Sequence, residues 1–389
     1  MIFSVQTKIG LSTIATFALT FSLLGCGCQK NDNAAPASHN QKSTQTAAIS
    51  ENNGSLSSSL PKTASTFDAT RAWQDLTYQV EIGPRYVGSA GSQQTRQWLI
   101  KNLSDLGCQI YEQKFTAQTV EGSKEFVNII ASLEPSSTTQ KATVATKAQG
   151  ESADESLAAK AQSEDDNKVA DGQAKVKETT TIVLGAHYDT KYFKDLTFIG
   201  ANDGASGTAV LLELARVFKN KPLQQHKLMF CFFDGEEAFG EWSDIDGTYG
   251  SRYFVENLGK PTSPVKTEVQ DIVAAVIVDM VGDKNLHLTY DTISHPQLLE
   301  MLFNKGRELK FTKQFKRSDV GAISDDHLPF LLAKIPAVNM IGFNNNENGL
   351  YPSYWHTAED TLDKVCADSL YTVGVTADLF VRDLDNVLE

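Results

Sequence analysis

The stretch "HKLMFCFFDGEEAFGEWS" (residues 226–243) places an unbroken apolar run, Leu228 to Phe233, directly before Asp-Gly and two adjacent glutamates. A strand with one wet face would alternate apolar and polar residues. An unbroken run of this length, closed by a turn signal, reads instead as a strand buried on both faces. Similar runs occur in "EFVNIIASL" (125–133), "TTTIVLGAH" (179–187), "DIVAAVIVDM" (271–280), "KNLHLTY" (284–290) and "IPAVNMI" (335–341). Between them lie stretches with helical spacing: "GSQQTRQWLIKNLSDLG" (91–107), "SGTAVLLELARVFKN" (206–220) and "SLYTVGVTADLFVRDLDNVLE" (369–389). This alternation predicts an α/β fold of three layers, with a mostly parallel central sheet flanked by helices on both sides. In such sheets ligands gather beyond the carboxyl ends of the strands.

Two stretches of biased composition reduce the part of the 389-residue chain that must fold. Residues 26–65 are rich in Ser, Thr, Asn, Gln and Ala and bury too little to offset chain entropy, so they read as a disordered tether. Residues 135–178 form a second low-complexity segment, an insertion between two strand-like runs. The remaining part of 66–389, about 280 residues, suffices for one large catalytic domain. Residues 1–25 have Lys8 ahead of an apolar run and end in "LLGC", the layout of a lipoprotein-type signal peptide. Cys26, with Cys28 as the alternative, would carry the lipid. That predicts export across the inner membrane and anchoring at the outer membrane or on the periplasmic face.

The formal net charge of -13 argues against nucleic acid or an anionic membrane surface as partner, leaving membrane contact to the lipid anchor alone. A negative surface attracts cationic ligands, including the free amino end of a peptide. Cys108, Cys231 and Cys366 lack CxxC spacing and support neither a disulfide framework nor a thiolate metal site.

Five segments bring carboxylates and imidazoles to the predicted carboxyl rim. His187 and Asp189 follow one strand, Asp203 starts the next helix, and Glu236 and Glu237 follow the run quoted above; Asp279 ends another strand, and His356 lies in the loop after the last. Oxygen and nitrogen donors without thiolates suit zinc with an open coordination position. That gives the glutamate pair a physical reason. With one glutamate binding metal, the other can face substrate as a general acid/base. Taken singly, each residue has a plainer reading: Asp203 as an N-cap, His187 as a structural histidine that Asp189 orients, the pair as a solvated loop.

The segments "HYDTKYF", "FIGANDGASGTAVLLELAR", "FFDGEEAFGEWSDIDGTYGSRYF", "SDDHLPFL" and "YWHTAEDTLDKV" together resemble the animal-type glutaminyl-peptide cyclotransferases, or glutaminyl cyclases, which share the zinc aminopeptidase fold. The resemblance runs from Phe67 to Glu389 apart from the insertion, and Glu-Glu followed by "AFxxWS" is its most specific part. It implies one Zn2+ held by Asp203, Glu237 and His356, and Glu236 as acid/base with Asp279 and Asp325 hydrogen-bonded around it. It also implies aromatic pocket walls at Trp242, Trp355 and Tyr351, and a supporting role for His327. The implied reaction converts the N-terminal glutamine of peptides or proteins to pyroglutamate with release of ammonia; a monomer is the expectation for the chain, with nothing in the sequence that fixes its oligomeric state.

Two features depart from that family. "GANDGASG" reads like the aminopeptidases, and Asn339 stands where animal cyclases commonly have His. His187 and Asp279 would hold a second zinc in an aminopeptidase, so a secreted two-metal aminopeptidase is the alternative. A non-catalytic module on the same fold would be expected to lack some of these ligands, and none is missing.

Overall fold

The computed structural model describes residues 54–136, 179–342 and 352–388. Its centre is a six-stranded sheet made of β1 (Gln109–Thr119), β2 (Gly122–Leu133), β3 (Thr181–His187), β4 (Lys227–Phe233), β5 (Ile272–Asp279) and β8 (Ala337–Ile341). The spatial order is β1-β2-β4-β3-β5-β8. β4, β3, β5 and β8 run parallel, whereas β2 is antiparallel to both β1 and β4.

The continuous apolar runs are explained by burial on two faces. In β4, Leu228, Phe230 and Phe232 point into the larger core, while Met229, Cys231 and Phe233 point into a second core on the opposite face. The larger core is closed by α1 (Ala69–Ile82), α2 (Ala90–Asp105), α3 (Ala205–Asn220), α5 (Pro296–Glu308) and α7 (Ala367–Val387). The second core packs under α4 (Tyr249–Glu256) and α6 (Leu328–Leu332). The three layers are therefore those expected, with α3 so central that nearly every residue from Ala205 to Phe218 is buried.

Three local expectations differ from the structure. β1 is an additional edge strand whose outward residues are polar and whose burial alternates, so no continuous run marks it. "KNLHLTY" does not join the sheet; only Tyr290 enters a two-residue strand, β6 (Tyr290–Asp291), paired with β7 (Val320–Gly321). Its amides go to three separate segments, with Leu288 donating to Gln314, Thr289 to Ile341 at the end of β8 and Tyr290 to Asp319. Finally, the end of the expected tether is docked. The Ser57 amide donates to Asp368 Oδ1 at 2.9 Å, Tyr371 donates to the Pro61 carbonyl at 3.0 Å, and Leu60 packs on the core. The signal segment, most of the tether and residues 137–178 of the insertion lie outside the described residues.

Candidate active site

The parallel register aligns the strand ends: His187 pairs with Phe233 and Asp279 with Ile341. The groups that follow each strand therefore share one rim. Two tight turns aim them. Gly204 (φ +86°) sits where a Cβ would meet the Asp189 carbonyl at 2.6 Å, and Gly235 (φ +72°) where one would meet Phe126 at 2.4 Å. α3 is capped by Gly204 with no side-chain bond, so Asp203 is not the N-cap and its carboxylate is released to the site.

Asp203 lies between two imidazoles, 3.3 Å from His187 Nε2 and 3.4 Å from His356 Nε2. His356 Nε2 also stands 3.3 Å from Glu237 Oε2, and His187 Nε2 is 3.0 Å from Asp279 Oδ1. Two donor trios result, Asp203/Glu237/His356 and His187/Asp203/Asp279, each with its ligand atoms within 4.8 Å of one another. They share Asp203. With Asp189, 3.5 Å from His187 Nδ1, four buried carboxylates face two imidazoles here, and Glu237 Oε1 is buried without a hydrogen-bond partner. This donor chemistry fits a divalent cation with oxygen and nitrogen ligands, zinc among them.

The electrostatics follow from burial and this crowding. Burial pushes the Glu236 carboxyl well above its ordinary range; His187 opposes the shift, while Glu237, Asp325 and Asp326 add to it. Asp279 is pushed up to about 7 by burial, against the pull of His187. Asp203 goes the other way. Burial would raise it, but its bonds to His187 and His356 hold it well below the usual carboxylate range. Burial likewise lowers His356, yet Glu237 and Asp203 prevail and raise it to about 9.

Supporting residues fix these groups. Asp189 accepts the amides of Glu236 at 3.1 Å and Glu237 at 3.4 Å, so one carboxylate orients both glutamates. Asp325 accepts from the Asn339 amide at 2.7 Å and from the Asp326 backbone at 2.5 Å. Asn339, the residue that departs from the expected pattern, thus makes a direct contact with Asp325. Asp279 and Asp325 were expected to be hydrogen-bonded around Glu236. Their bonds run instead to His187 and to Asn339 and Asp326, so both are oriented from outside, and Asp325 acts on Glu236 through charge.

A cavity of about 560 Å³ opens over the rim, lined by Asp203, Glu236, Glu237, Asp279, Asp325 and His356 with Trp242 and Trp355. Trp355 stacks on the His356 ring, centroids 3.7 Å apart, and packs beside Met280, Ile323 and Ile341. Trp242 is partly exposed at the rim, its ring against Gly247. Met280 (φ +49°) and His356 (φ +55°), both in the cavity lining, adopt the left-handed backbone region. His327 is elsewhere: it is fully buried, with Nε2 3.1 Å from Asp291 Oδ2, and does not line the cavity. Tyr351 lies outside the described residues.

The sequence reading missed three contributors. Lys191 lines the cavity and stands 3.9 Å from Glu237 Oε2. Asp360 accepts the amides of Asn202 at 2.8 Å and Asp203 at 3.0 Å, and its position four residues after His356 was the available signal. Arg85 is fully buried and donates to the carbonyls of Gln79, Gly83, Tyr188, Ile199 and Gly200. It thereby pins the turn that carries Asp203.

Comparison with known proteins agrees with this geometry. The chain is 29% identical to the glutaminyl-peptide cyclotransferase of Dictyostelium discoideum, covering 73% of this chain and 76% of that protein. It is 28% identical to that of Drosophila melanogaster, covering 74% of each. Among solved structures it is similar to an Acidobacteriales bacterium glutaminyl cyclase, at 27% identity and a TM-score of 0.66 over 85% of this chain and 99% of that one. The Porphyromonas gingivalis glutaminyl cyclase gives 26% identity and 0.64 over 82% and 98%. A Zn-dependent exopeptidase from Parabacteroides distasonis shares the fold, with a TM-score of 0.63 at 23% identity over 82% and 98%. The sequence profile of peptidase family M28 matches residues 167–381, more than half of the chain, and the chain belongs to that family.

Proposed function

We propose that the protein is a zinc-dependent glutaminyl-peptide cyclotransferase, converting the N-terminal glutamine of peptides to pyroglutamate. The single observation that carries this reading is the cavity in which a buried Glu236, its carboxyl pushed above the ordinary range, sits beside the Asp203/Glu237/His356 trio with Trp242 and Trp355 in the same lining. A zinc ion held by that trio supplies Lewis-acid polarisation of an amide carbonyl. The chain's own residues do the rest. The two tryptophans hold the glutamine side chain folded back on its own amino end and keep water out, so that the nucleophile is intramolecular. The α-amine forms a bond to the side-chain carbonyl carbon while the bond from that carbon to the amide nitrogen breaks. Glu236 takes the proton the amine loses and returns it to the departing ammonia. Its raised proton affinity suits both halves of that transfer.

The alternative, a two-metal aminopeptidase, has one observation in its favour: His187 and Asp279 complete a second trio around Asp203. Against it, the curated relatives described above are glutaminyl-peptide cyclotransferases, and Trp242 and Trp355 line the cavity.

The N-terminal sequence supports the further proposal that the protein is exported and lipidated at Cys26; we propose separately that it works as a monomer. Mass spectrometry of the mature N-terminus tests the lipidation, and sedimentation the monomer. For the reaction itself, a Gln-initiated peptide should release ammonia, and its N-acetylated form should release none because the nucleophile is blocked. Ammonia from both would mean hydrolysis of the side-chain amide and would overturn the cyclase reading.

A further inference from the structure

Beside the active-site cavity lies a second cavity of about 510 Å³ whose lining includes Pro84, Tyr86, Tyr192, Phe193 and Lys194. The two are adjoining, because Lys191 lines both. The shared wall is firm. Lys191 Nζ donates to the Ala238 carbonyl at 2.6 Å, and Phe193 and Phe198 stand edge-on to the His356 ring at 5.9 and 5.7 Å. The far end of the segment is pinned by Arg85, which reaches the Ile199 carbonyl at 2.9 Å and the Gly200 carbonyl at 2.9 Å. Tyr86, the neighbour of Arg85, pairs with Tyr192 at 4.9 Å between centroids, and Tyr192 remains 38% exposed. The segment 191–198 has no regular secondary structure, yet it is tied down at both ends, so the cavity is pre-formed.

We propose that this second cavity is a specificity subsite that receives the residue following the N-terminal glutamine and favours an aromatic side chain there. This rests on the cyclase reading above. The glutamine occupies the first cavity with its amino end toward Glu236, and the chain continues outward past the rim. Lys191 marks the junction between the two spaces. Tyr86 and Tyr192 offer aromatic surface for ring packing, while Pro84 and Phe193 supply apolar walls. The opposite rim, around Trp242, offers the exposed apolar residues Val120 and Ile245 as the competing path.

The test compares kcat/KM for Gln-Phe and Gln-Gly amides, with glutaminamide as the substrate that lacks a second residue, in the wild type and in Tyr86→Ala, Tyr86→Phe and Tyr192→Ala. The wild type should prefer Gln-Phe over Gln-Gly. Tyr86→Ala and Tyr192→Ala should each lower kcat/KM for Gln-Phe by roughly 3- to 10-fold, mainly through KM, with glutaminamide turnover unchanged. Tyr86→Phe keeps the ring and should keep the preference. Equal wild-type values for Gln-Phe and Gln-Gly overturn the subsite, as does a preference that is lost in Val120→Ser or Ile245→Ser and retained in the tyrosine variants. Absence of wild-type turnover of glutaminamide and of both peptides would instead refute the cyclase reading on which the subsite depends.

Discussion

Replacing Glu236 with glutamine separates the two adjacent glutamates most sharply. The change keeps the side chain's shape and leaves Asp203, Glu237 and His356 untouched, so the metal-binding trio should retain its zinc. What it removes is the only proposed proton carrier in the cavity. A positioned general acid/base contributes roughly 10²- to 10⁴-fold to rate, so kcat should fall by that factor, about 3 to 5 kcal/mol of barrier. Stability should not fall with it. Burial and the charges of Glu237, Asp325 and Asp326 already disfavour the ionised form of Glu236, and a neutral amide relieves that penalty. The assay is ammonia release from a Gln-initiated peptide at saturating substrate, with zinc content and thermal unfolding measured on the same preparation. Activity within tenfold of wild type would refute the acid/base assignment. Lost activity accompanied by lost zinc would instead assign Glu236 to the metal.

Other expectations can be checked on the same footing. Glu237→Gln removes a charged donor from the trio and should weaken zinc binding by more than about tenfold in a chelator competition, the result Glu236→Gln should not give. Arg85→Met leaves five carbonyls, three of them in buried contacts, without their common donor and should cost roughly 3 to 5 kcal/mol in denaturant unfolding. A loss below about 1 kcal/mol would mean that water replaces it. Asp385 accepts from the Gln224, Gln225 and His226 amides and from His226 Nδ1, and these bonds hold its carboxyl below the ordinary range despite burial. Its stabilising contribution is therefore complete above the unfolded carboxyl pKa of about 3.9 and is lost as pH falls through the lower folded value. Asp385→Asn should be less stable than wild type at pH 7 by about 1 to 3 kcal/mol, with the gap closing in acid; a gap independent of pH would refute the charge argument.

Much of this site was legible in the chain because the residues that carry it directly follow buried strands. His187, Glu236, Glu237 and Asp279 are found by asking what comes after each apolar run, and parallel register then brings them together. The supporting residues were less visible, since their roles depend on partners remote in sequence. Arg85 lies about 115 residues from the turn it pins, and nothing in "GPRYVG" announces five carbonyl acceptors. Asp360 and Asn339 likewise gain meaning only once the Asp203 amide and the Asp325 carboxylate stand opposite them. The edge strand β1 escaped because a half-wet strand has no continuous apolar run. "KNLHLTY" misled for the opposite reason. Leu286 and Leu288 are buried at strand-like spacing, but the amides of Leu288, Thr289 and Tyr290 go to three separate segments rather than to one neighbouring strand.

The central claim is that this M28-family fold cyclises rather than cleaves. The most direct test incubates the zinc-loaded protein with an equimolar mixture of a Gln-initiated and a Leu-initiated peptide and follows both by mass. The account predicts that the Gln peptide loses one ammonia to become a pyroglutamyl peptide while the Leu peptide stays intact. Release of free leucine, with the Gln peptide uncyclised, would contradict it and assign His187 and Asp279 to a second metal.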